Sequence, residues 1–153
     1  FRSAATFLMT TILPQAPNLN ESTWAAVEDY ARTLMGQGDE LYIIAGGYGS
    51  GGSGSNGGVT TTIHGGAITV PARCWKVMVV LPVGDNDLAR IDASTRVIAV
   101  DMPNAQSVNN QSWGSYRVSV DAIEGATGLN LLSLVPTTVQ NTIEARVDNG
   151  PTQ

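Results

Sequence analysis

Apolar side chains return every three or four positions at Trp24, Val27, Ala31, Leu34 and Met35, and Gly36 and Gly38 close the run. That period predicts an amphipathic helix whose stripe faces a core, with Asn20 or Ser22 as its N-cap. Elsewhere the pattern shortens to runs of β-branched and apolar residues bounded by Gly, Pro or Asn, at 41–45, 68–70, 75–81, 96–100 and 116–120. These read as strands of a mixed, mainly antiparallel sheet. Asp121 is the expected cap of a helix over 122–127 that Gly128 ends. Pro136 opens a further helix reaching to about residue 146, with Val139, Ile143 and Val147 on one face. Helices flanking a sheet give an α+β fold class.

The segment from Gly46 to Gly66 breaks both periods. It contains a G-x-G-x-x-G match at Gly47, Gly49 and Gly52 directly after a strand, yet Gly, Ser and Asn follow where a dinucleotide fingerprint would open a helix. The stretch 46–66 is therefore expected as a Gly/Ser-rich surface loop within a single domain spanning 1–153, with a place along a substrate cleft open to it.

Composition adds limits. With 153 residues and 42% apolar content the chain can bury a sizeable core, and no apolar run has the length of a membrane span. A net charge of −5 excludes a generally basic surface for gripping a polyanion. Cys74 stands alone, so no internal disulfide is available, and its apolar flank marks it as a buried residue. Among the tryptophans, Trp24 and Trp75 sit in periodic apolar runs, whereas Trp113 lies in a polar stretch and is the one expected at the surface.

The candidate chemistry gathers at the first helix. Asn20, Glu28 and Arg32 follow one another at spacings of eight and four residues, placing an amide, a carboxylate and a guanidinium near a helix start. Such an end favours anions, and the trio suits a hydrated metal beside a phosphate. The same residues also fit a cap and a surface ion pair between Glu28 and Arg32.

The segment Thr11-Ile12-Leu13-Pro14-Gln15-Ala16-Pro17-Asn18-Leu19-Asn20, with Trp24, Glu28 and Arg32 beyond it, resembles the core motif of the DNA/RNA non-specific endonucleases. The resemblance continues through Glu40 to Gly47, Val70 to Val77, Arg96 to Asn104 and Tyr116 to Asp121, and reaches Glu144. It implies a ββα-metal nuclease fold and hydrolysis of phosphodiester bonds in DNA and RNA without sequence preference. By this resemblance Asn20 binds the catalytic Mg²⁺ or Mn²⁺, Glu28 orients metal-bound water and Arg32 contacts phosphate. Thr11 stands where the family usually carries a supporting Asn, and Gln15 belongs to the same supporting segment.

The family's general base is the His of an Asp-Arg-Gly-His motif, which has no match here; His64, the one histidine, lies in the glycine-rich excursion. The resemblance thus implies the C-terminal part of a nuclease domain, incomplete on its N-terminal side, with the base supplied by an upstream fragment or a second chain. It implies nucleic acid rather than membrane as partner, and a secreted or periplasmic location. The alternative is a degenerate relative that keeps the fold as a binding or assembly module without catalysis.

Overall fold

Alternation along the two central strands sets the architecture. In the computed structural model, which describes residues 12–153, strand β1 spans Asp39–Tyr48, β2 Thr62–Ile63, β3 Ile68–Thr69, β4 Arg73–Pro82, β5 Arg96–Pro103 and β6 Arg117–Val118. Helix α1 covers Ala25–Gly36, α2 Asp87–Arg90, α3 Val120–Thr127 and α4 Thr137–Ile143. The main sheet has the order β1-β4-β5-β6 with every neighbouring pair antiparallel, and β2 and β3 form a separate two-stranded ribbon. The sheet is thus antiparallel, as mainly expected, and parallel pairing among the described residues is confined to one isolated bridge, Ser53 with Ala105.

Successive side chains of a strand point to opposite faces, and here both faces are covered. From β4, Cys74 and Met78 join Ile98, Val100 and Met102 of β5 beneath α1, whose Val27, Tyr30, Ala31 and Leu34 complete one core. From the same strand, Trp75, Val77, Val79 and Leu81 join Val97 and Ala99 in a second core under α3 and α4, with Val120, Ile123 and Ile143. Double burial explains why 75–81 and 96–100 read as continuous apolar runs. Burying this many aliphatic side chains, at about 1.5–3 kcal/mol each, is the main favourable term holding the layers together.

Several elements differ from the sequence reading in their ends. The first helix begins at residue 17, ahead of both Asn20 and Ser22, so neither caps it; the Asn20 N–H already donates to the Ala16 carbonyl at 3.0 Å. Met35, assigned to the stripe, is 60% exposed, and Tyr30 takes the buried position instead. Ser119 rather than Asp121 caps α3, its hydroxyl accepting from the Ala122 N–H at 3.1 Å, and Gly128 ends that helix with φ +73°. Helix α4 stops at Ile143, leaving Val147 exposed. Strand β1 runs on through Gly46 and Gly47, so the glycine-rich loop begins after Tyr48. Gly46 is required there: a Cβ would lie 2.7 Å from the Trp75 ring that crosses it. Trp113, expected outside, is buried against Tyr30 with ring centroids 5.3 Å apart, because the short turn Trp113–Tyr116 folds onto α1. Cys74 is buried, as its apolar flank predicted.

The chain's last segment is tied down by charge. Asp148 is buried and accepts from Arg96 Nε at 2.8 Å, Arg96 Nη2 at 2.9 Å and Arg117 Nη1 at 3.1 Å. Burial alone would raise the Asp148 carboxyl, but the two guanidiniums outweigh it and hold the group below the usual carboxylate range. A carboxyl with a depressed folded pKa contributes stability above its unfolded pKa and loses it as pH falls through the folded value. Asp148→Asn is therefore expected to cost about 2 kcal/mol in urea unfolding at pH 7, less than a fully buried pair because both guanidiniums are partly exposed. That difference from the parent should vanish as pH drops well below about 4.

Candidate metal and phosphate site

The helix that carries the candidate residues is not regular. Leu19–Trp24 forms a π-type turn that feeds without a break into α1. At 3.6 residues per turn, eight regular residues would leave Asn20 roughly 80° from Glu28 about the axis; a turn that absorbs one extra residue reduces the offset to roughly 20°. The wide turn thus brings Asn20 and Glu28 to one face of the helix. Asn20 is exposed there, and Glu28 is half-exposed at 45% of its side chain.

Glu28 does not pair with Arg32. Its Oε1 accepts from Lys76 Nζ at 3.0 Å, across the gap between α1 and β4, while Arg32 donates to Asp29 at 2.6 Å on the helix surface. Lys76 occupies the inward-pointing place between Cys74 and Met78, so its stem lies in the core and its ammonium sits 4.3 Å from the centre of the Trp24 ring. Burial pushes this ammonium below the ordinary lysine range, and the hydrogen bond and charge of Glu28 oppose the shift. One Glu28 oxygen is fixed by this contact, which leaves the other for a further ligand. Arg32 is 65% exposed and its partner Asp29 is 71% exposed, a surface pair worth little and readily given up to a stronger anion.

The stretch before the helix is anchored from β5. Asn104 is buried, its Oδ1 accepting from the Ala16 N–H at 2.7 Å and its Nδ2 donating to the Pro14 carbonyl at 2.9 Å and the Pro71 carbonyl at 2.8 Å. Gln106 adds a second clasp, accepting from the Asn18 N–H and receiving the Asn18 amide on its own carbonyl, each at 2.8 Å. The glycine-rich loop closes over this knot, and a Cβ on Gly52 would lie 2.7 Å from the Asn104 amide nitrogen. Pro14, Gln15, Gly52, Ser53, Thr60 and Asn104 border a hollow of about 270 Å³. Burial drives the pKa of the Cys74 thiol upward, and Gln15, half-buried at the border of this hollow, opposes that shift. Thr11 lies outside the described residues.

The oxygen donors fit a hard, hydrated cation. A neutral carboxamide open to solvent and one free carboxylate oxygen leave room for the several waters that Mg²⁺ retains, and the cysteine and histidine that zinc would need are elsewhere. Cys74 is in the core, and His64 is exposed in a turn at φ +52° between β2 and β3. A separate hollow of about 780 Å³, bordered by Tyr42, Leu88, Ile91 and Leu134, shares no residue with this face. Sequence reasoning missed Lys76 and Asn104. The signal for Lys76 was present: a single lysine in the inward phase of an otherwise apolar strand.

Comparison with known proteins bears on this arrangement. The sequence model of the DNA/RNA non-specific endonuclease family matches residues 2–138. This chain belongs to that family. A nuclease of Nostoc sp. strain PCC 7120 is 48% identical over 147 residues, covering 96% of the chain and 50% of the relative. A nuclease of Serratia marcescens is 26% identical over 140 residues, covering 90% of the chain and 47% of the relative. The chain spans about half the length of these curated relatives. Among solved structures, a chain in the crystal structure of the EndoG/EndoGI complex superposes with a TM-score of 0.67 at 19% identity, covering 94% of this chain and 57% of that one. At that identity the likeness speaks for the fold, which is the α+β arrangement expected of the endonuclease family.

In this family member the helix start depends on Asn104, so its removal is a sharp test of the anchoring. Asn104→Ala orphans one buried N–H and two carbonyls, and is expected to cost about 3 kcal/mol in urea unfolding. Asn18→Ala, whose partners are less buried, should cost about 1 kcal/mol.

Proposed function

We propose that this chain supplies the metal-holding and phosphate-contacting half of a non-specific endonuclease that hydrolyses phosphodiester bonds in DNA and RNA. The observation that carries the reading is the π-type turn, which aligns Asn20 with Glu28 in a chain of the endonuclease family. A Mg²⁺ or Mn²⁺ ion at Asn20 would supply Lewis-acid stabilisation of the phosphate and of the leaving oxygen.

Around that ion the chain's own residues have separate tasks. Asn20 offers its carboxamide oxygen as the protein ligand. Glu28, fixed through Oε1 by Lys76, accepts hydrogen bonds from water with its other oxygen and so sets the water's direction. Arg32 exchanges its exposed partner Asp29 for a phosphate oxygen, adding positive charge where charge grows in the transition state. Contacts of this kind go to phosphate rather than to base edges, so sugar and sequence matter little. Arg32 and Lys76 also place positive charge locally on a chain whose net charge is −5.

The proton must leave the attacking water for a base. His64, exposed on a turn between β2 and β3, is poorly placed for that task, which asks for a rigid position and an orienting partner. In this reading the histidine comes from polypeptide beyond these 153 residues, which is consistent with a chain spanning half the length of its relatives.

Plasmid nicking by the full-length protein tests the reading. Cleavage of both plasmid and RNA is expected with Mg²⁺ and none with chelator. Asn20→Ala and Glu28→Ala should each reduce the rate by about 10²-fold or more, and Arg32→Ala by about 10²-fold. Lys76→Met should lower the rate by about 10-fold while leaving stability within about 1 kcal/mol, because an apolar residue suits its buried site. Cleavage that persists undiminished in Asn20→Ala, or that ignores chelator, would overturn the assignment.

A further inference from the structure

A second group of oxygen ligands lies on the other side of the sheet from α1. Asp121 and Glu124, on successive turns of α3, meet Glu144 just beyond α4, and one carboxylate oxygen of each lies within 4.8 Å of the others. None of the three forms an ion pair among the described residues. Glu144 is only 5% exposed, and its Oε1 is buried with no hydrogen-bond partner. An ionised carboxylate in that position, next to two others, is costly unless a cation or a proton joins it.

The backbone around the group is already closed. The Asp121 N–H donates to the Glu144 carbonyl at 3.1 Å, which fixes α3 against the end of α4. Glu124 Oε1 accepts from the Leu131 N–H at 2.6 Å, leaving its second oxygen available. Asp121 is exposed and Glu124 half-buried, so the group opens to solvent on one side, where an ion can enter and keep its remaining waters.

We infer that Asp121, Glu124 and Glu144 form a structural binding site for a divalent cation of the calcium type, separate from the Asn20 face. Oxygen is the sole donor, which selects hard ions over zinc or copper. Calcium binds oxygens at about 2.3–2.6 Å, so ligands on opposite sides of one ion stand about 5 Å apart, a span that accommodates this cluster. Binding staples α3 to the end of α4 across 20 residues of sequence that hold Leu132 and Val135 in the second core. Burial, followed by repulsion from Glu124 and Asp121, holds the Glu144 carboxyl above its ordinary range when no cation is bound.

The test is thermal unfolding of the full-length protein, stripped with chelator and then titrated with CaCl₂, alongside calorimetric binding of Ca²⁺. A rise in Tm of roughly 5–10 °C is expected at about a hundredfold excess over Kd. Asn20→Ala should keep that rise, which separates this site from the proposed catalytic one. Glu144→Gln should abolish it, and in chelator should melt at or above the parent's temperature, because an unpaired buried charge has been removed. The inference is overturned if Ca²⁺ shifts Glu144→Gln and the parent equally, if Asn20→Ala alone abolishes the shift, or if millimolar Ca²⁺ neither binds nor shifts the parent. A lower Tm for Glu144→Gln in chelator would also overturn it, since Glu144 would then have a partner of another kind.

Discussion

Burial of β4 on both faces is the constraint from which the other features follow. One face must accept α1 and the other must accept α3 and α4, so every side chain along Arg73–Pro82 is assigned a layer by its parity alone. At position 76 the parity falls on a lysine. An ammonium under a helix needs a counter-charge within reach, and Glu28 is where α1 can provide one. The partnership that positions the proposed water-orienting carboxylate is thus also the solution to a packing problem in the sheet.

The helix start is shaped by a second conflict, between regular winding and the placement of Asn20. A regular helix would have the better hydrogen-bond geometry, and the chain instead takes a wide turn over Leu19–Trp24. It is held in that geometry from outside: Asn104 and Gln106, just past the end of β5, take up polar groups of residues 14–18. Together the two clasps fix the entry angle of the helix to the sheet. Departures from local preference of this kind collect at functional sites, where the surrounding structure has to over-determine them.

Much of this was legible in the residues. Five of the six strands were placed by their apolar runs, β2 having been read as part of the glycine-rich loop, and α1 was placed by its stripe, because burial on one or two faces writes a period directly into the sequence. Helix ends were read less well: Asp121 looked like a cap, yet Ser119 makes the bond, and Asn20 looked like a cap although the helix had started three residues earlier. Trp113 was misplaced because its polar neighbours describe the turn it sits in, not the Tyr30 ring it packs on. Lys76 and Asn104 were missed for a common reason. Each acts on residues far away in sequence, at separations of 48 and 88 positions, and pairing at that distance leaves no local pattern.

The tie at the end of the chain reaches further than its own segment. Arg96, which grips Asp148 and the Pro151 carbonyl, also donates from Nη1 to the Tyr30 hydroxyl at 2.8 Å and lies 5.6 Å from that ring's centre. Tyr30 sits two residues past Glu28 on the same helix. The tail and the helix therefore share one guanidinium as a keystone, and trimming a few residues after Val147 would take away a brace from the far side of α1 without touching the face that carries Asn20.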